Sequence, residues 1–533
     1  MELVGFTSDT STFPLLCCSI TLLVTLLYLI RRRRGAHSSP ASGKLRRLPP
    51  GPPALVFLVK FLALRRSIFD LGPLIRDLHA RYGPVISFRL LGATLVFVSD
   101  AGLAHRALVR DGATFADRPP LVDPDPLFSA GDINSASYGP YWRLLRRNLA
   151  GDALHRSRVA LFAPARRRAC DALAAGLLHA GSSSEKTEGV VTVRPFLRRA
   201  MLELLVYMCF GGERLGEDEL EEMEALQRHV LASFTSFPVF AFFPALTKGL
   251  FFRKRWAAHV AVRRRLDEVF APLIHAAAAR RRGDGEEDDD HHHHPPCYAE
   301  SLLALRVPGD EEDGDRVLTD AEMVSLCSEF LNAGTDTTVT LVEWIMAELV
   351  TNPSVQAKVY EELTTKGKPE LDDDSDNLNS FPYLKAVVLE GLRLHPPAHF
   401  VIPHGMTSDG EIGGYTVPKG AEVNFMVAEM GRDEEVWTAA REFRPERFVD
   451  GGEGCGVDIT GSREIKMMPF GAGRRMCPGY TLGLHHAEYF VARMVSEFQW
   501  LPAADEEVVD MAEAADFTMV MKHPLRARII PRN

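Results

Sequence analysis

The chain has 533 residues, enough for about three average domains or one large enzyme domain. Its 46% hydrophobic and 25% charged residues exclude global disorder and a collagen-like fibre, and a single long apolar run excludes a polytopic transporter. The net charge of −10 lies in three windows without Lys or Arg: Asp284–Asp290, Asp310–Asp315 and Asp372–Asp376 hold fifteen of the 71 acids, leaving 56 against 61 Lys and Arg. Acidic loops therefore sit on a mildly basic body. The basic residues are not gathered with interleaved aromatics, so no nucleic-acid partner is expected.

At the N-terminus, Phe13–Ile30 is an uncharged apolar run, and Arg31–Arg34 follow it directly. Such a run spans about 27 Å as a helix, close to a thin endoplasmic-reticulum bilayer. A cleaved signal peptide carries its positive charge before the apolar run, and here the order is reversed. Residues 1–34 are therefore expected to be an uncleaved, single-pass membrane anchor that leaves the body in the cytosol. Residues 35–54 form a basic, proline-rich hinge that ends in LPPGPP, Leu48–Pro53. Proline fixes φ and stiffens such a spacer. Residues 55–533 are expected to form one catalytic domain.

The body shows no internal repeat. Phe88–Ser99 is expected to form a hairpin turning at Gly92. Trp142–Leu178, Met201–Cys209, Asp218–Leu231 and Arg253–Arg282 have helical composition or spacing. His291–His294 follow an acidic loop and invite a metal reading. Consecutive histidines without a scaffold do not preorganise a coordination sphere, so the run reads as a solvated loop.

Thr319–Val350 is the strongest helix: Thr319 and Glu322 make a capping box, and Pro353 follows its end. Its centre holds Gly334, Thr335, Asp336 and Thr337, all poor helix formers. A segment that opposes its own helix marks a functional site. Phe381–Leu394 is helical, with strand-like pieces at Val401–Pro403 and Tyr415–Phe425. A final helix is expected to about Phe498, then a closing hairpin over Phe517–Ile530. The fold class is mainly α with minor β sheets.

Eight cysteines, with no CxxC pair or regular spacing, argue against a disulfide framework and a structural zinc site. Cys477 differs from the rest. It sits in FGAGRRMCPG, Phe470–Gly479, a glycine-rich turn before a helix, where N–H groups and Arg474 and Arg475 favour a thiolate. The pattern Phe-x-x-Gly-x-Arg-x-Cys-x-Gly resembles the haem-ligand signature of cytochromes P450. Further stretches follow in the family's order. Ala333–Thr338 resembles its oxygen-activation stretch, Glu390–Arg393 its Glu-x-x-Arg, and Phe443–Phe448 the segment whose Arg447 completes that network. Trp142 and Arg146 fit its Trp-x-x-x-Arg, and Pro403-His404 a strand position facing a propionate. The resemblance covers nearly the whole chain and is strongest to plant microsomal A-type enzymes, near family 89.

The resemblance implies a cytochrome P450 fold, haem b held through Cys477, O2 as co-substrate, and electrons from NADPH through a membrane-bound NADPH–cytochrome P450 reductase. It places Trp142, Arg146, His404 and Arg475 at the propionates, Phe470 near the sulfur, and Glu390, Arg393 and Arg447 in a structural charge network. Asp336 and Thr337 become the proton-delivery pair, with Gly334 opening the helix to O2. An intact Asp336–Thr337 pair favours a monooxygenase over a P450-like isomerase, dehydratase or haem sensor. Arg143, Arg147 and Lys466 are the expected docking cations. The Phe115–Tyr138 loop, Phe330, Asn332, Pro397–Ile402 and Phe517–Met519 are expected to face a hydrophobic, ring-containing substrate. The likeness to family 89 adds linear tetrapyrroles to the candidates.

Overall fold

A computed structural model describes residues 47–532, apart from 55, 59–70, 91, 183–188, 213, 242, 284–294, 309–313, 366–379 and 505–507. The expected anchor, the His291–His294 run and two of the acidic windows lie outside the described residues. Among the described residues, no helix is long and apolar enough to cross a membrane.

The principal helices are α1 (Gly72–Tyr82), α2 (Pro140–Asn148), α3 (Ala163–Ser182), α4 (Val193–Phe210), α5 (Glu217–Thr235), α6 (Arg253–Gly283), α7 (Asp320–Thr351), α8 (Pro353–Thr365), α9 (Pro382–Leu394) and α10 (Tyr480–Glu497). At about 1.5 Å per residue, α7 runs roughly 48 Å. Its start is the expected capping box. Thr319 Oγ1 accepts the Glu322 N–H, and the Glu322 carboxylate accepts the Thr319 N–H at 2.8 Å. Its end is Asn352, whose N–H reaches Glu348 O, followed by Pro353. Helices α4, α6, α9 and α10 pack around it, and most of its residues are buried. Gly391 allows α9 to approach, because a Cβ there would lie 2.5 Å from Ile345.

The strands are β1 (Val85–Leu90), β2 (Ala93–Val98), β3 (Val190–Thr192), β4 (His404–Gly405), β5 (Gly410–Ile412), β6 (Tyr415–Val417), β7 (Glu422–Phe425), β8 (Phe498–Pro502), β9 (Glu513–Ala515), β10 (Met519–Met521) and β11 (Arg526–Pro531). They form one four-stranded sheet, β1-β2-β7-β4, and smaller sheets. The expected hairpin is present: Leu90 pairs with Ala93, and Gly92 turns at φ +96°. Three expectations are corrected. The strand after Val401 begins at His404. Tyr415–Phe425 divides into β6 and β7 around Gly420, whose φ of +75° ends any continuous extended run. The closing hairpin does not form. β10 pairs with β9, whereas β11 pairs with β3 and β8.

Candidate active site

The turn at Phe470–Gly479 is shaped by close approach. Gly473 has φ +70°, and a Cβ on it would lie 1.9 Å from Leu108 O. The Cys477 N–H donates to Phe470 O at 2.8 Å, closing the turn. The Phe470 ring packs edge-on against Tyr480, the first residue of α10, at 6.2 Å. The Gly479 N–H bonds the Cys477 sulfur, and Arg146 adds positive field. Burial nevertheless outweighs both and raises the thiol above its ordinary value. The expected stabilisation of a thiolate by the turn alone is therefore incomplete. A coordinated metal ion deprotonates a thiol outright.

Helix α7 is buried over most of its length, yet Ala333 is exposed and Thr337 half-exposed, one turn apart on one face. That opening lies at the centre of the helix. Of the poor helix formers there, Asp336 and Gly334 make tertiary contacts, whereas Thr337 bonds its own helix. The Thr337 hydroxyl donates to Ala333 O at 2.6 Å. Asp336 pairs with Arg198 of α4, which also approaches Glu224 of α5 at 3.7 Å. Burial raises the Asp336 pKa, and Arg198 partly offsets the shift. The expected opening of the helix at Gly334 is corrected. α7 is continuous there, and a Cβ on Gly334 would lie 2.8 Å from Leu205 of α4. The glycine serves helix packing.

A cationic cluster joins the turn to α7. Arg475 donates to Ala116 O, Ile133 O and Ala136 O at 2.7, 3.1 and 2.6 Å, and lies 4.5 Å over the Trp142 ring. Arg146 donates to Met476 O. The same loop is tied to α7, because Glu329 accepts the N–H groups of Ile133 and Asn134 at 2.9 and 2.7 Å. Arg118 completes the cluster, donating to Asn134 O at 2.8 Å and Pro403 O at 3.1 Å. Burial first, then the charge of Arg475, pushes Arg118 down to about 9. Burial also lowers Arg475 to about 10, with Arg146 adding repulsion. His404 contacts Phe115 O through Nδ1 at 2.6 Å. A carbonyl only accepts, so Nδ1 carries the proton. Burial and Arg118 push the imidazole down to about 3, leaving it neutral. Arg118, rather than a neutral His404, adds positive charge to this cluster.

Glu390, Arg393 and Arg447 meet as expected, all buried. Glu390 accepts from Arg393 at 2.6 and 2.8 Å, from Arg447 at 3.2 Å and from the Arg444 N–H at 2.8 Å. Arg393 also donates to Gly431 O and Ala440 O, and Arg447 to Ala439 O. The network clamps α9 to the loop after β7.

From residue 49 to residue 530, the chain matches the Cytochrome P450 family. This chain is a cytochrome P450. It is 42% identical over 497 residues to Cytochrome P450 89A9 of Arabidopsis thaliana, covering 91% of this chain and 94% of that protein. It is 30% identical to Tryptamine 5-hydroxylase of Oryza sativa subsp. japonica, covering 95% and 94% of the two chains. It is also 30% identical to Flavonoid 3'-monooxygenase CYP75B137 of Crocosmia x crocosmiiflora, covering 98% of each. Among solved structures, a zebra fish cytochrome P450 with progesterone superposes with a TM-score of 0.69 at 22% identity, covering 86% of this chain and 99% of that one.

The P450's own residues fit a haem. Trp142 Nε1 is buried and has no hydrogen-bond partner among the described residues, which an acceptor such as a carboxylate would satisfy. Three crowded guanidiniums at Arg118, Arg146 and Arg475 suit a paired anion. Cys477 would supply a sulfur ligand, and Ala333 and Thr337 are the exposed and half-exposed positions at the middle of α7.

The expected substrate segments converge on α7 from distant parts of the chain. Thr518 Oγ1 lies 2.7 Å from Thr340 Oγ1, and the Met519 N–H donates to Pro397 O at 2.8 Å. Phe330 is buried and stacks on Tyr298 at 5.0 Å, and Asn332 is buried beside Ser328. Arg143 and Arg147 are exposed and Lys466 half-exposed. Arg118 and Glu329 were the residues that motif reading missed. FADRP, Phe115–Pro119, was the available signal for the first. Glu329, one turn before Ala333, carried none.

Proposed function

We propose that this P450 monooxygenase inserts one atom of O2 into a hydrophobic, ring-containing small molecule. Its electrons come from NADPH through the membrane-bound P450 reductase. The N-terminal anchor holds it on the cytosolic face of the endoplasmic-reticulum membrane. The observation that carries the reading is the conjunction of the Cys477 turn with an opening around Ala333 and Thr337 in the middle of the otherwise largely buried α7.

Haem bound through Cys477 supplies the oxygen and electron chemistry. Arg118, Arg146, Arg475 and Trp142 would hold its carboxylates. Thr337 keeps a hydroxyl proton on the open face, parked on Ala333 O. Asp336 is the neighbouring proton carrier. Its carboxylate rests on Arg198, which continues to Glu224 near the surface, so leaving Arg198 is the motion that brings a proton inward. Phe470 covers the sulfur side against water.

Relatives named for flavonoid and tryptamine hydroxylation support a ring-containing substrate. The likeness to family 89 adds linear tetrapyrroles to the same screen. The test is turnover of a spectrally binding plant metabolite under isotopically labelled O2. One labelled oxygen in the product, with strict dependence on reductase and NADPH, is expected. A rearranged product formed without O2 would contradict the proposal.

A further inference from the structure

A second cavity lies on the far side of α4 from α7. It is a cleft of about 550 Å³ bounded by α3, α4, α5 and α6, within the size range of small-molecule sites. Leu205 of α4 touches Gly334, whereas its neighbour Leu204 lines the cleft. The site around Cys477 and Thr337 contributes no lining residue.

Apolar side chains, Leu204, Tyr207, Leu220 and Leu273, share the lining with three arginines, Arg168, Arg214 and Arg280. Arg280 is seated by a glycine pair. Gly211 and Gly212 have φ +63° and +74°, and a Cβ on Gly212 would lie 2.8 Å from Arg280 Nη1. Its Nη2 donates to Phe210 O, while its Nε is buried with no hydrogen-bond partner among the described residues. Arg168 lies over the Tyr207 ring at 5.7 Å. Neither Arg168 nor Arg280 has a carboxylate partner among the described residues. The two acids of the cleft are engaged elsewhere. Glu203 holds Arg214 at 2.7 and 3.0 Å, and Glu219 accepts the Gly216 N–H at 2.8 Å.

Apolar side chains beside two guanidiniums that have no carboxylate partner among the described residues suit a molecule that is apolar over most of its length and anionic at one end. We propose that this cleft is a second ligand site, separate from the haem site, for an amphipathic organic anion. Its carboxylate or sulfonate lies between Arg168 and Arg280, and its body rests on Leu204, Leu220 and Leu273.

The test uses the full-length holoenzyme with the haem site blocked by a tight-binding azole. Anilinonaphthalene sulfonate is the fluorescent probe, and uncharged phenylnaphthylamine is its control. Saturable binding of the sulfonate is expected, with Kd raised about tenfold or more in Arg168→Gln and in the Arg168→Gln/Arg280→Gln pair, as for loss of charge-assisted hydrogen bonds. Leu204→Trp, which fills the cleft, should abolish it. Folding of each variant is read from its reduced carbon-monoxide spectrum. Sulfonate affinity within about twofold of the parent in Arg168→Gln and Leu204→Trp, or equal binding of the uncharged control, would overturn the proposal.

Discussion

At the scale of single residues, Thr337 separates the roles of fold and chemistry most cleanly. Its hydroxyl bonds only its own helix, at Ala333 O, so its removal breaks no tertiary contact. Thr337→Ala should retain haem and a normal thermal midpoint, while product formed per NADPH consumed falls several-fold and peroxide rises to match. Unchanged coupling would remove Thr337 from proton delivery. Cys477, Glu390 and Trp142 were legible in the sequence because each sits in a dense local pattern. Arg118 and Glu329 were not. They act on backbone groups of the Phe115–Tyr138 loop, Arg118 at Asn134 O and Glu329 at the Ile133 and Asn134 N–H groups, and bonds to backbone groups leave no trace in side-chain spacing. The charge state of His404 was equally hidden. It depends on burial and on Arg118, 286 positions earlier.

At the scale of elements, α7 was readable end to end, because its capping box, apolar body and terminal proline are all local. The closing strands were not. Phe517–Ile530 has the alternation of a hairpin, yet Ala527 pairs with Val191 and with Pro502. Alternation specifies a strand and leaves its partner open. The Glu390 network makes the element-scale prediction. Both arginines are almost fully buried on Glu390, and removing one partner of such a set leaves uncompensated charge at a cost of about 3–5 kcal/mol. Glu390→Ala should therefore yield little haem-loaded protein, and the fraction that folds should denature at markedly lower temperature. Normal haem occupancy and stability would contradict the clamp between α9 and the loop after β7.

At the scale of the whole molecule, a few buried ionisable groups tie stability to pH. Glu488 of α10 is buried, with only the charge of Lys385 opposing, and burial pushes its carboxyl up to about 7. A carboxyl raised on folding contributes stability that is present in full below its unfolded value and is lost as pH rises through the folded one. Glu488→Gln should therefore leave stability unchanged near pH 4.5 and raise it by about 2 kcal/mol at pH 8, read as thermal midpoints at the two pH values. An equal effect at both would show that the carboxyl is not proton-linked. Cys477 is the residue that would hold the iron of a haem in the proposed function. The reduced, carbon-monoxide-bound absorption spectrum of the full-length protein tests this most directly. A strongly red-shifted Soret band, absent in Cys477→Ser, is the predicted result. Folded, haem-loaded protein without that shift would contradict thiolate ligation and the monooxygenase reading with it.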